Sequence, residues 1–591
     1  MRRLAYALPL AAALLASAWP TPADACGGTF CDAFPNALPV DQTGENVLFI
    51  LEPGQVEVHI QIQYDPNTNA QKFAWMIPLP AVPEFAVGTE LLFQELLRAT
   101  VPTYGLNTTN EFCGDDSAGG SVSGDGTAGG TGGADTDGGG VDVVKIQTVG
   151  AFEVVVLAGK SAPELMQWLV DNNYQSIPEA EPILQQYLDE GNVLVALRLN
   201  HGENLKSIHP IVLRYAGADG CVPIRLTRIA AVDDMDIRVF ALGNGRAIPT
   251  NYRHVLVNPL KLDWLNFAAN YKEVISLAVD AFMAEGRAFV TEFAGASDIL
   301  NTFAFHSDNW NNEVFAGLPA IEVVNQLNSQ GLMDCFDSFF CQFNHPLLEG
   351  LLATYLPVPD GVLAEDFYSS LAAYEGQIDQ ALWGDGSGFA KDMLSRIIEP
   401  GTHARTLVET WPYLSRLYTT ISPNEMTEDP LFLYNPQLPD VPNVRIANRF
   451  VRCDGYSTVT LPDGREVNLE PGMAWPDFQA EMPWEEDVDQ MPPMGMPQPL
   501  IDNTPLIDKL LAEWNQQHSP PPPPTTTGEP TTGATSDGGG SATDSSGNDS
   551  SPMIWGGNEG SCGCTSDPRP GATGLLALLG LLGLRRRRAR A

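Results

Sequence analysis

Histidines, paired acids and cysteines are the residues of this chain that could do chemistry, and their spacing supports little of it. Eight histidines are scattered through 591 residues. His201 and His209 flank an expected turn and could approach one another for zinc, but core or solvated histidines are the plainer reading at that spacing. Acid pairs such as Asp233-Asp234 and Glu485-Glu486 are the material of general acid and base in glycoside hydrolysis. In a chain this acidic they also arise from composition. Neither H-E-x-x-H nor G-x-S-x-G occurs, so the zinc-protease and nucleophile-elbow patterns are missing. Asp65, Asn67 and Asn69 have the first spacings of a calcium loop, but Ala70 replaces its turn glycine and Met76 its closing glutamate. A hairpin turn is expected there. His59, on the polar side of a strand, reads as solvated rather than as a ligand. Arg253-His254 and Thr291-Glu292, set between apolar segments, read as satisfied core hydrogen bonds and ion pairs. No catalytic, cofactor-binding or metal-binding residue is assigned.

Nine cysteines read as disulfide chemistry of an exported chain. Cys562 and Cys564 sit near the C-terminus. The other seven are Cys26, Cys31, Cys113, Cys221, Cys335, Cys341 and Cys453. Cys26/Cys31 and Cys335/Cys341 are close enough for local bonds, and at least one of these is expected. Seven is odd, so one thiol is free, paired outside the body or modified, and the connectivity stays open. The formal charge of −41 repels nucleic acid and anionic head groups, which excludes nucleic acid as a partner. Calcium is the one ion considered, as a stabiliser of so acidic a body without a catalytic role.

The elements that would position any site lie between two processing segments. Residues 1–25 read as a signal peptide: Arg2-Arg3, an apolar core, and Ala23-Asp24-Ala25 as a small-x-small cleavage site before Cys26. The last segment, 561–591, reads Ser561-Cys562-Gly563-Cys564, a spacer, an apolar run from Gly571 to Leu584, and four arginines from Arg585. At about 1.5 Å per residue the run spans roughly 21 Å, short of the roughly 30 Å hydrocarbon core, with its cytoplasmic end marked by the arginines. This tail resembles the MYXO-CTERM sorting signal of myxobacterial surface proteins. The resemblance implies processing near Cys562 or Cys564 and retention at, or release from, the cell surface. Export and sorting machinery are then the expected partners, together with a surface partner of unknown kind, and the membrane is met only through the tail. Residues 516–560, rich in Pro, Thr, Ser and Gly, read as a stalk.

The body between them reads as α+β: residues 26–295 as an α+β domain with a Gly-rich insertion at 114–140, 296–445 as a mainly helical part of the same body, and 446–515 as a small hairpin-and-helix segment. In Gln55–Tyr64, Val56, Val58, Ile60, Ile62 and Tyr64 alternate with polar residues, the period of a strand with one buried face. With Asn46–Glu52 before it and Gln71–Ile77 after it, a three-stranded meander is expected. A helix is expected at Glu90–Arg98, and one from a capping box at Ser161 to Asn172. Strands are expected at Val143–Thr148, Phe152–Leu157, Val193–Leu199, Pro210–Tyr215, Pro223–Ile229, Asp236–Leu242 and Arg287–Ala294. Asp263 is expected to cap a long helix carrying Trp264, Phe267, Tyr271, Val274, Ala278 and Phe282 on one face. Helices are expected through much of Ser297–Ile421, interrupted at Trp411-Pro412, with a second capping box at Ser422–Glu425. A hairpin at Ser457–Leu461 and Glu466–Leu469 and an amphipathic piece at Pro505–Trp514 follow.

The stretches Ala25–Cys31 (ACGGTFC), Phe73–Pro80 (FAWMIPLP), His209–Tyr215 with Pro223–Ile229, Asn251–His254 (NYRH), Thr291–Gly295 (TEFAG) and Leu417–Pro436 carry a likeness. By these the body resembles the bacterial family known as domain of unknown function 2330. The resemblance implies an exported protein and no activity. A non-enzymatic binding or structural surface protein is expected, with an exported hydrolase bearing an unrecognised site as the alternative.

Overall fold

A computed structural model describes residues 29–31, 42–64, 73–112, 142–159, 161–172, 177–199, 208–229, 231–336, 340–478 and 481–521. The expected signal peptide, the Gly-rich insertion, the calcium-like turn at 65–70, His201, almost the whole of the expected stalk, and the expected sorting tail with Cys562 and Cys564 lie outside them. The described residues fall in one unit and mix sheets with helices, so the fold is α+β. None of their helices is long and apolar enough to cross a membrane.

Ten strands form the central sheet: β1 (Gln42–Glu52), β2 (Gln55–Tyr64), β3 (Glu84–Val87), β4 (Ile211–Ala216), β5 (Ala231–Gly243), β6 (Arg253–Val257), β7 (Ala288–Ala296), β8 (Tyr413–Ile421), β9 (Glu485–Gln490) and β10 (Gln498–Asp502), in the order β10-β9-β6-β7-β8-β5-β1-β2-β4-β3. The β5–β1 and β6–β7 pairs are parallel and the others antiparallel. One face of its middle carries Val47, Phe49, Val56, Val58, Ile60, Val239 and Ala241 in the largest apolar core. The opposite face carries Leu48, Ile50, Phe240 and Leu242, covered by α1 (Glu90–Thr100) through Leu92, Phe93 and Leu96 and by α3 (Glu399–Thr410) through Ala404, Leu407 and Val408. The alternation in β2 therefore marks two covered faces, because helices from distant parts of the chain pack over the polar one. A helix between them in sequence, α2 (Ala180–Asp189), was not expected.

Several expected elements change place or type. Gln71–Ile77 does not complete a meander. Phe73–Leu79 pairs with Thr29–Cys31 and Val193–Leu199 in a separate five-stranded sheet, because Trp75, Ile77 and Leu79 feed one core and Met76 another, and the second edge of β2 belongs to β4. Pro223–Ile229 is a single helical turn, Ile224–Thr227, held by the Arg225 N–H donating to Asp429 Oδ1 at 2.9 Å. Asp263 does cap, accepting from the N–H of Leu265 and Asn266. It caps only a 3-10 turn that ends where Phe267 and Ala268 turn left-handed, at φ 53° and 56°. The α-helix is confined to Tyr271–Val279, and Phe267 and Phe282 are exposed.

Neither capping box forms as drawn. Ser161 makes no cap bond, and Gln185 of α2 accepts from the Ala162 N–H instead. Glu425 accepts from the Ser422 N–H at 2.7 Å, closing a turn that opens no helix. Beyond Trp411-Pro412 the chain is strand: YLSRLYTTI is buried along nearly its whole length and becomes β8, central in the sheet. The late hairpin and the final helix, Thr504–Gln517, stand as expected, and the helix runs past residue 516, where the stalk was expected to begin.

Cys335 and Cys341 form a disulfide across a short hairpin. Cys453 is disulfide-bonded too, and Cys221 is the free thiol among the described residues. The side chains of Cys26 and Cys31 lie outside the description.

The edge of the sheet is acidic, and one carboxylate there is strained. Asp487 of β9 lies directly opposite Asp502 of β10, and like charges so placed repel. Burial, then Asp489, Glu486 and Asp502, push its carboxyl up to about 6, against Arg465. A carboxylate raised in the folded state stabilises the fold only while protonated, so its contribution is full below about pH 4 and lost as pH rises through about 6. Asp487→Asn is expected to stabilise the protein at pH 7 by on the order of 1 kcal/mol after solvent screening, with the gain gone at pH 4. Paired urea titrations at the two pH values check this, and an equal effect at both would refute it.

Candidate functional site

The polar residues of β2 and their neighbours make one of two candidate sites. Glu57 and His59, two apart on a strand, share the face covered by α1 and α3. Arg214 lies opposite Glu57 on β4, and α3 brings in His403. The Glu57 Oε1 atom lies 2.8 Å from His59 Nε2 and 2.5 Å from His403 Nε2, while Arg214 Nε donates to Oε2 at 2.5 Å. Arg214 Nη2 also stands 2.8 Å from His403 Nε2. The two imidazoles stack, 5.8 Å between centroids and 4° apart in plane. His59 is 2% exposed, Glu57 12% and His403 31%, so the cluster is sealed on the strand side and reached from the helix side. Burial alone would raise the Glu57 carboxyl. Hydrogen bonds from His403 and His59, with Arg214, outweigh it and hold the carboxyl far below the usual range. Burial lowers His59 despite Glu57 beside it. His59 is thus corrected from a solvated strand residue to a buried member of an acid–imidazole cluster.

The second candidate is a cleft of about 590 Å³ where α2, the Arg225 turn and the segment before Leu431 meet. Its wall holds Pro78, Leu79, Tyr215 and Leu431, and its charged rim holds Glu190, Asp219, Glu428 and Asp429 against one cation, Arg225. Arg225 donates to both Glu190 oxygens at 2.7 Å and through Nε to Asp429 Oδ2 at 2.9 Å. It also lies 4.1 Å above the Tyr187 ring. The Tyr187 hydroxyl donates to Asp429 at 2.8 Å, and Asn251 ties the loop by donating to the Asp429 carbonyl and accepting from the Leu431 N–H. Burial pushes Asp429 up against the pull of Arg225. Burial, then Asp429, push Tyr187 and Cys221 up as well, so the cleft thiol stays protonated and reacts slowly.

The residues singled out from sequence fall elsewhere. His209 is a core residue: its Nε2 accepts from the Ala151 N–H at 3.0 Å and its Nδ1 meets the Pro210 carbonyl at 2.8 Å. Asp233 and Asp234 are exposed, while Glu486 pairs with Arg465. His254 meets Thr291 Oγ1 at 3.0 Å, to which Arg246 donates at 2.9 Å, and Glu292 pairs with Arg416. These are buried networks formed by residues of the sheet and of the strand Arg246–Pro249 beside it. Glu57, Arg214, His403, Glu190, Arg225 and Asp429 were missed. The Glu57-Val58-His59 spacing was the one available sign, and its partner on α3 lies 344 residues further on.

No curated protein and no solved structure is significantly similar to this chain. Residues 20–309 match a family described as "Uncharacterized protein conserved in bacteria (DUF2330)". That span contains Glu57, His59, Arg214, Glu190 and Arg225, while His403 and Asp429 lie beyond it. Over residues 20–309 the body of this chain resembles that family of bacterial proteins of unknown function.

Proposed function

We propose that this chain is an exported, surface-displayed binding protein whose recognition site is the cleft beside Arg225, and that its ligand presents a cationic group on an apolar or amide-bearing body. The observation that carries this reading is the set of charges in the cleft. Four carboxylates face one guanidinium, and that guanidinium is already engaged by Glu190 and Asp429. Asp219 and Glu428 are exposed; Glu428 accepts from Asn251 at 3.0 Å and meets Arg287 only at 3.9 Å, so both keep carboxylate oxygens for a positive charge, while Pro78, Leu79 and Leu431 give an apolar wall. Its paired groups favour holding a ligand over transforming one. The signal peptide, stalk and sorting tail read from sequence supply the display.

Cys221 makes the reading testable, because it lines the cleft. A maleimide reagent is expected to label it slowly, and lysine- or arginine-bearing peptides should protect it in a salt-sensitive way. Glu428→Gln with Asp219→Asn should weaken that protection about tenfold or more, as charge neutralisation at a recognition site does. Equal protection by acidic peptides would overturn the proposal. The hydrolase alternative has a separate observation behind it, the Glu57–His59–His403 cluster, and is supported only if a variant of that cluster abolishes a measured hydrolysis.

A further inference from the structure

Beyond ligand recognition in the cleft, the geometry points to a metal site: we infer that Glu57, His59 and His403 bind a divalent transition metal of the zinc class. Each of the three residues offers one ligand atom, and these atoms all lie within 4.8 Å of one another. Zinc takes nitrogen and carboxylate ligands at about 2.0–2.1 Å, so tetrahedral ligand atoms stand roughly 3.3–3.5 Å apart by that geometry. The present contacts of 2.8 and 2.5 Å need to open by less than about an ångström to reach it. Two ligands come from neighbouring same-face positions of a strand paired on both edges. The third comes from a helix packed over that face.

The hydrogen bonding of the cluster contains a conflict that a cation would resolve. His403 Nε2 must donate to meet Glu57 at 2.5 Å, and must accept to meet Arg214 Nη2 at 2.8 Å. A single ring nitrogen cannot do both in any protonation state. A metal between Nε2 and Oε1 uses both lone pairs. Arg214, 26% exposed, can then turn Nη2 away while its Nε keeps Oε2 and leaves Oε1 aimed at the ion, the usual role of an outer partner to a ligating carboxylate. Among the described residues His59 Nδ1 has no hydrogen-bond partner, and this ring is held by Glu57 at Nε2 and by stacking against His403.

Two imidazoles and one carboxylate suit zinc, nickel or copper rather than calcium or magnesium, which take oxygen donors. Three protein ligands leave a fourth position, on the side where His403 is 31% exposed. That position and Arg214 favour water, hydroxide or another small anion.

The test uses the full chain, stripped with a chelator and titrated with zinc chloride by calorimetry and with cobalt chloride by visible absorption. One tight equivalent of zinc is expected, with cobalt bands lacking thiolate charge transfer. His403→Gln, on a half-exposed helix position, should keep the circular dichroism of the parent and lose zinc affinity by ~100-fold or more. Glu57→Gln should do the same, and Cys221→Ser should leave the zinc affinity unchanged. An absence of zinc binding, unchanged affinity in His403→Gln, or calcium bound as tightly as zinc would each overturn the inference. None of these readings depends on the cleft beside Arg225.

Discussion

Glu292→Gln is expected to cost this protein about 3–5 kcal/mol, the price of leaving a buried charge without its partner. Glu292 is 1% exposed and Arg416 4%, and Arg416 Nε donates to Glu292 Oε2 at 2.5 Å. A register shift between Thr291 and Phe293, where β7 meets β8, leaves Glu292 as the extra residue of a bulge. That bulge aims its carboxylate at the Arg416 side chain on the neighbouring strand. Around the pair, Tyr271 donates to Glu292 Oε1 at 2.8 Å, and Arg416 Nη1 donates to the Leu97 carbonyl at 3.2 Å and Thr100 Oγ1 at 3.3 Å, both in α1. The pair therefore ties the sheet to its helical cover. A neutral amide of the same shape keeps the volume and removes the charge, so any loss reports the ion pair. The companion variant Glu292→Leu with Arg416→Met should recover most of the loss, because replacing both members of a buried pair by apolar groups is often neutral. Urea midpoints of the parent, single and double variants decide it. A single variant within about 1 kcal/mol of the parent would place this pair with surface ion pairs.

The strands and helices whose periodicity is local were legible in the sequence. Gln55–Tyr64 announces itself by alternation, the 457–469 hairpin by Asp463-Gly464, and α1 by its apolar spacing. What could not be read was what covers each element. β2 shows one apolar and one polar row, and nothing in those ten residues says that α3, more than 300 residues away, lies over the polar row. His59 was misread for that reason. Arg225 was misread for a related one: a stretch with strand-like composition becomes a helical turn when Asp429 takes both its backbone N–H and its guanidinium. At Asp263 the sequence carried a true cap, but Phe267 and Ala268 adopt left-handed backbone that no periodicity announces. Each candidate site joins a residue inside the matched span 20–309 to one outside it, His403 or Asp429. Local reading could find only one half of either.

Asp429→Asn is the change expected to collapse the cleft, at a cost of about 2–4 kcal/mol. The carboxylate accepts from the Tyr187 hydroxyl, from the Arg225 N–H and from Arg225 Nε. An asparagine turns a donor toward groups that themselves donate, leaving part of Arg225 and its neighbours unsatisfied in a buried setting. Glu190 meets the same guanidinium with two bonds of 2.7 Å, yet its side chain is 43% exposed against 7% for Asp429. Water can replace what Glu190 gives, so Glu190→Gln should cost less than about 1 kcal/mol. The comparison separates burial from bond count, since Glu190 accepts two guanidinium hydrogen bonds against one for Asp429 and matters less. Labelling of Cys221 reads the cleft directly: Asp429→Asn should accelerate it by at least tenfold as the segment from Thr427 to Leu431 loosens, while Glu190→Gln leaves the rate within about twofold, the scale set by local opening free energies. Equal costs for the two variants, or an unchanged labelling rate in Asp429→Asn, would show that apolar packing around Tyr187 and Leu431 holds the cleft and that the ion pair is incidental to it.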